Sequence, residues 1–94
     1  MPYAFVVNVE FEPGGDPAEA QRMLAEDIVP RIKAQPGFQS GTWLRAVDQK
    51  TGMGAVIFDT EANASAALST IPAERPPNAP KITNSAVYEV VFQA

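Results

Sequence analysis

From Tyr3 to Glu12 the chain alternates. Tyr3, Phe5, Val7, Val9 and Phe11 fall on one side, and Ala4, Val6, Asn8, Glu10 and Glu12 on the other. A two-residue period with aromatic and β-branched enrichment predicts a half-buried strand. Pro13, Gly14 and Gly15 break it. The period then changes. Asp16-Pro17-Ala18-Glu19 offers a capping carboxylate, a proline for the first helical position and a glutamate for a capping box. Ala20, Leu24, Ile28 and Ile32 follow at four-residue spacing, and Met23, Ala25 and Val29 widen the apolar stripe. Pro30 predicts a kink in this helix and not its end, because Ile32 continues the stripe. Pro36-Gly37 predicts the stop, with Gly37 available for a left-handed turn.

Phe38 to Val47 alternates again, with Phe38, Ser40, Thr42, Leu44 and Ala46 opposite Gln39, Gly41, Trp43, Arg45 and Val47. The polar run Asp48 to Gly52 reads as a short hairpin connection into a third strand, Met53 to Thr60. Asp59 or Thr60 can cap a short alanine-rich helix from Glu61 to about Ser69. Ile71 to Lys81 holds Pro72, Pro76, Pro77 and Pro80 and reads as a loop. Ser85 to Gln93 is the fourth predicted strand. The order β-α-β-β-α-β predicts an α+β, ferredoxin-like fold: an antiparallel four-stranded sheet with both helices on one face. Several strands are apolar on both sides, with Val6 beside Phe5, Trp43 beside Leu44, and Val87 and Val91 against Tyr88 and Val90. A sheet facing water on one side alternates more cleanly. The excess predicts a homodimer with sheet packed on sheet.

Composition narrows the chemistry. The 94 residues, 1–94, suit a single domain. Such a chain buries only about 60–65% of its unfolded surface, so a partner subunit is a natural source of further burial. With neither cysteine nor histidine, the chain has no disulfide, no thiolate nucleophile and no imidazole for iron, zinc or proton transfer. The formal net charge is -4 and the seven lysines and arginines are scattered, which leaves no electrostatic footprint for nucleic acid. No signal-peptide pattern and no apolar run of spanning length occur. The expectation is a cytoplasmic protein with neither nucleic-acid nor membrane partners. Scattered carboxylates show no metal-ligand spacing, and neither a phosphate-binding loop nor a dinucleotide turn occurs; Gly52-Met53-Gly54 stands alone after a hairpin.

Several residues carry two readings. Asn8 is an amide in the middle of an apolar strand. It either hydrogen-bonds a ligand or is satisfied within the protein, and buried amides are usually satisfied internally. Trp43 and Arg45 share a strand face. They form either a platform, with indole stacking and guanidinium holding an anion, or an interface pair, where both types are enriched. The balance lies with the interface. Phe58 and Tyr88 line a pocket or fill core and interface, and Met53 fills either. Asp59 and Glu61 sit where a helix N-terminus favours negative charge. Arg75 lies in the proline-rich loop, which is either a lid or a bridge.

The helix ending in Pro36-Gly37-Phe38, the strand after it, the FDTEANASAA join and the closing VYEVV resemble the antibiotic-biosynthesis-monooxygenase-like group of dimeric α+β barrels over nearly the whole chain. The resemblance implies a ferredoxin-like protomer, a homodimer and a modest apolar pocket between sheet and helices. That group includes cofactor-independent monooxygenases of polycyclic aromatic substrates, heme-degrading enzymes and members without known activity. Its heme-degrading branch uses an Asn on the first strand, a Trp near the end of the third and a His at the second helix. Asn8 is similar to that Asn, Phe58 stands in the place of the Trp, and the His has no counterpart. The implied function is oxidation of an aromatic or polyketide-like molecule by O₂ with no cofactor and no metal. Asn8 and Arg45 would stabilise the substrate anion, and Trp43, Phe58 and Tyr88 would bind the substrate. The alternative is a non-catalytic binding or interaction module of the same fold.

Overall fold

A computed structural model describes residues 1–11, 14–71 and 80–94. The elements are β1 (Tyr3–Glu10), α1 (Pro17–Met23), a π-helical turn (Leu24–Ile28), α2 (Val29–Lys33), β2 (Phe38–Arg45), β3 (Thr51–Phe58), α3 (Glu61–Ser69) and β4 (Lys81–Glu89). The strands form one antiparallel sheet in the order β2-β3-β1-β4, the ferredoxin-like topology. The side chain of Asp16 caps α1, its Oδ1 accepting from the Ala18 N–H at 2.9 Å. Pro30 does not end the helical rod. The turn before it widens, with the Val29 N–H bonded to the Leu24 carbonyl five residues back. Such a π-turn moves the carbonyls out of the way of the proline ring and absorbs its missing donor. Gly37 takes φ 81, and a side chain there would collide with the Asp59 carboxylate and the Asn63 amide.

The core lies between one sheet face and the helices. Phe5 and Val7 of β1, Val56 and Phe58 of β3, Ile32 of α2, and Ala64 and Ala67 of α3 are all buried. The Phe58 ring stacks on Phe5 at 5.8 Å and meets Phe38 edge-on at 6.1 Å. The buried alanines of α3 let the helix approach the sheet closely. The opposite sheet face carries Leu44, Met53 and Tyr88 at 55%, 38% and 48% exposure, beside half-buried Val6, Ala55 and Ile57. This face is the apolar second side that the alternation foretold.

Two boundaries differ from the sequence reading. β4 runs Lys81–Glu89, not Ser85 to Gln93. Its neighbour β1 begins at Tyr3, which pairs with Glu89. One bond further on, the Val90 N–H donates to the Pro2 carbonyl at 2.9 Å. The residues after Val90 have no strand to pair with, and Val91 and Phe92 are exposed. In the β2–β3 hairpin the left-handed residue is Gln49 (φ 63), while Gly52 lies inside β3. The Asp48 carboxylate accepts from the Lys50 N–H at 2.9 Å and stabilises that turn. Val47 belongs to this turn and not to β2. The expected strand end at Glu12 and the break at Pro13 lie outside the described residues, as does Arg75 with residues 72–79.

Candidate functional site

The helix-facing positions of β3 read Gly52, Gly54, Val56, Phe58. The large end builds the core. The glycine end leaves room, and there the sheet and the helical rod enclose a cleft of about 440 Å³. Its walls are mostly apolar. β1 contributes Val7 and Val9, the residue just past it, Phe11, adds a ring, and the rod contributes Met23, Leu24 and Ile28. Both Leu24 and Ile28 belong to the π-turn, so the widening that accommodates Pro30 also shapes this wall. A concave, mainly apolar space with few polar groups is the usual form of a small-molecule site.

Trp43 and Arg45 come from β2 and face the cleft, opposite Gly54 and Gly52. Their face is the helix side of the sheet, not the second face on which a sheet-on-sheet interface was expected. The indole is half-buried and packs against the core cluster. The Arg45 guanidinium carbon lies 5.9 Å from the centroid of the Phe11 ring, a cation–π contact. On the helical side, Arg31 and Asp27 border the cleft and pair with one another at 2.9 Å. The pair is solvent-exposed, so it contributes little to stability, but it places one carboxylate and one further guanidinium at the rim.

The structure separates the remaining candidates. Phe58 is fully buried in the core and is not among the lining residues. Asn8 lies on the other face of the sheet, opposite Met53 on one side and Asn84 on the other, at a β-bulge against β4. Tyr88 shares that second face, opposite Ala4. Strand alternation is the reason, since Val7 and Val9 point into the cleft and the residue between them cannot. Asn8, Phe58 and Tyr88 therefore do not meet Trp43 and Arg45 at this cleft. Sequence reasoning missed Phe11, Asp27, Arg31 and the glycine pair of β3. A signal for the last was present. Gly52 and Gly54, at alternate strand positions, give one face no side chain of its own there, and glycine inside a strand marks a close approach or a space.

Among the described residues no group of three or more His, Cys, Asp or Glu side chains could hold a metal ion. Nor do the residues fit a heme: the chain has no His or Cys, and no Tyr is among the described residues lining the cleft, so the common axial ligands other than methionine are missing. No described helix is long and apolar enough to cross a membrane.

The sequence matches no family model and no curated protein. Solved structures do match. The chain is similar to the cofactor-independent oxygenase SnoaB from Streptomyces nogalater, with a TM-score of 0.74 at 18% identity over 98% of this chain and 95% of that one. It is similar to a heme-degrading protein from Mycobacterium tuberculosis, with a TM-score of 0.70 at 21% identity over 100% and 99%. A protein of Chloroflexus aurantiacus assigned to the antibiotic biosynthesis monooxygenases gives 0.63 at 13% identity over 100% and 98%. The chain thus has the ferredoxin-like α+β fold of the antibiotic-biosynthesis-monooxygenase-like proteins.

Proposed function

We propose that the cleft binds a flat aromatic or polyketide-like molecule and that the protein oxidises it with O₂ without a bound cofactor. The observation that carries this reading is the apolar cleft with an indole and a guanidinium on one wall. The fold shared with a cofactor-independent oxygenase supports it. In such a reaction a substrate carbon acid or phenol loses a proton, and its anion passes electrons to O₂. One oxygen atom remains as a carbonyl and the other leaves as water. The protein holds the ring in place and stabilises the anion. Trp43 does the first and Arg45 the second. Asn8, on the other sheet face, has no part in this cleft.

Trp43 is the sole tryptophan, so its emission reports on the site. Titration with a tricyclic phenolic ketone should quench it saturably, and an oxygen electrode should record uptake. Arg45→Ala should weaken binding of the anionic form roughly tenfold, the scale of a lost charge-assisted hydrogen bond. If no flat aromatic compound quenches Trp43, the reading is wrong. Binding without oxygen uptake assigns the protein to the second reading, a non-catalytic binding module. The absence of Asn8 and Phe58 from the cleft favours that alternative.

The proposal includes a homodimer closed through the second sheet face, supported by the exposed Leu44, Met53 and Tyr88 on that face.

A further inference from the structure

We infer that Gly41 and Gly54 set the specificity of the cleft, by laying the Trp43 indole flat along the sheet so that its outer face selects a planar ring system. This rests on the cleft being a small-molecule site and adds which positions decide what it accepts. Gly41 precedes Trp43 by two residues on the same strand face, and Gly54 is its direct cross-strand partner. A Cβ at Gly41 would stand 2.8 Å from Cη2 and 2.9 Å from Cζ3 of the indole. A Cβ at Gly54 would stand 3.0 Å from Cδ1 and Nε1. The six-membered end of the ring therefore rests over one glycine and the five-membered end over the other. Its long axis runs along the sheet surface. A side chain at Gly41 forces the six-membered end to shift, and one at Gly54 crowds the five-membered end.

The same arrangement continues beside it. A Cβ at Gly52 would stand 3.1 Å from Cε2 and Cζ of Phe11. The Trp43 indole thus lies on a glycine base with an edge of the Phe11 ring beside it, and Leu24 and Ile28 of the π-turn stand on the helical side. Glycine weakens a strand, and the next helix-facing position of β3, Val56, shows that a larger residue fits the sheet where space is to be filled. A slot walled by the indole face favours a molecule that stacks over one that is puckered.

The test compares 2-naphthol with decahydro-2-naphthol, which share a skeleton and a hydroxyl and differ in flatness. Calorimetry on the wild-type protein should show a preference for the flat probe of roughly fivefold, the scale of an aromatic stacking contact. Gly41→Ala and Gly54→Ala should lose that preference while still binding the saturated probe, and the near-UV circular dichroism of Trp43 should change as the ring lifts. Trp43→Leu removes the flat face without placing anything over the glycines. It should lose the preference too, which keeps the inference testable should an alanine variant fail to fold. If folded glycine variants, or Trp43→Leu, keep the wild-type preference, the inference is overturned with the cleft reading intact. Should the wild-type protein bind neither probe, the cleft reading falls and the inference falls with it.

Discussion

The Tyr3 hydroxyl donates to Glu89 Oε2 across the β1–β4 pair at 3.3 Å. The Glu89 charge is the main reason that the phenol titrates above its ordinary value near 10.0; desolvation, the hydrogen bond itself and the charge of Glu61 add to it. The folded state thus holds this proton more tightly than the unfolded chain. The contribution is complete below the unfolded value of about 10 and is lost as pH rises through the higher folded value. Thermal melts from about pH 8 upward should therefore show the wild-type melting temperature falling more steeply beyond about pH 10 than that of Tyr3→Phe; parallel curves would refute the coupling. At this scale the sequence was partly legible. Alternation put Trp43 and Arg45 on one face, and they share the cleft. The same rule set Asn8 opposite Val7 and Val9, whereas the family resemblance suggested a site role for it. The local periodicity describes where Asn8 points. What alternation could not show was which face of β2 the helices cover, because Leu44 and Trp43 are both large and apolar.

The elements were legible where punctuation is chemical. Asp16 and Thr60 cap their helices, and Gly37 turns the chain out of the first helical rod. Thr60 Oγ1 accepts from the Asn63 N–H at 3.1 Å, satisfying one of the unpaired donors at the start of α3. Thr60→Ala should lower stability by about 1 kcal/mol, read as a shift in the urea midpoint at unchanged slope. The elements were less legible where a partner sets the boundary. The end of β4 is fixed by the start of β1, and the apolar run through Phe92 gives no hint that pairing stops at Val90. Pro30 announced a distortion, but not that a π-turn would absorb it and supply two residues of a cleft wall.

At the scale of the whole molecule, the sheet has two apolar faces, and the described helices all lie on one of them. The proposed dimer covers the other. Tyr88→Glu places a charge on that face, far from Trp43 in the sheet order. It should convert a sedimenting dimer to a monomer at micromolar concentration while leaving the far-ultraviolet spectrum unchanged. A wild-type protein that sediments as a monomer would remove the dimer from the proposal. The β-α-β-β-α-β order was legible because it follows from local periods. The cleft was not, since its wall depends on how closely the Trp43 and Phe11 rings approach Gly54 and Gly52, and hydrophobic patterning registers which side chains are present, not how they lie.

That run of β3, bare at one end and bulky at the other, also bears on how the protein can change over generations. On one face of an otherwise regular strand, glycines that carry the rings of Trp43 and Phe11 give way to the buried core residues Val56 and Phe58. Moving that change-over by one alternate residue takes a single codon, and a side chain gained at Gly54 would press on the indole. A lineage can thus widen, narrow or close the recess without redesigning the scaffold, trading capacity for robustness in steps of one alternate residue.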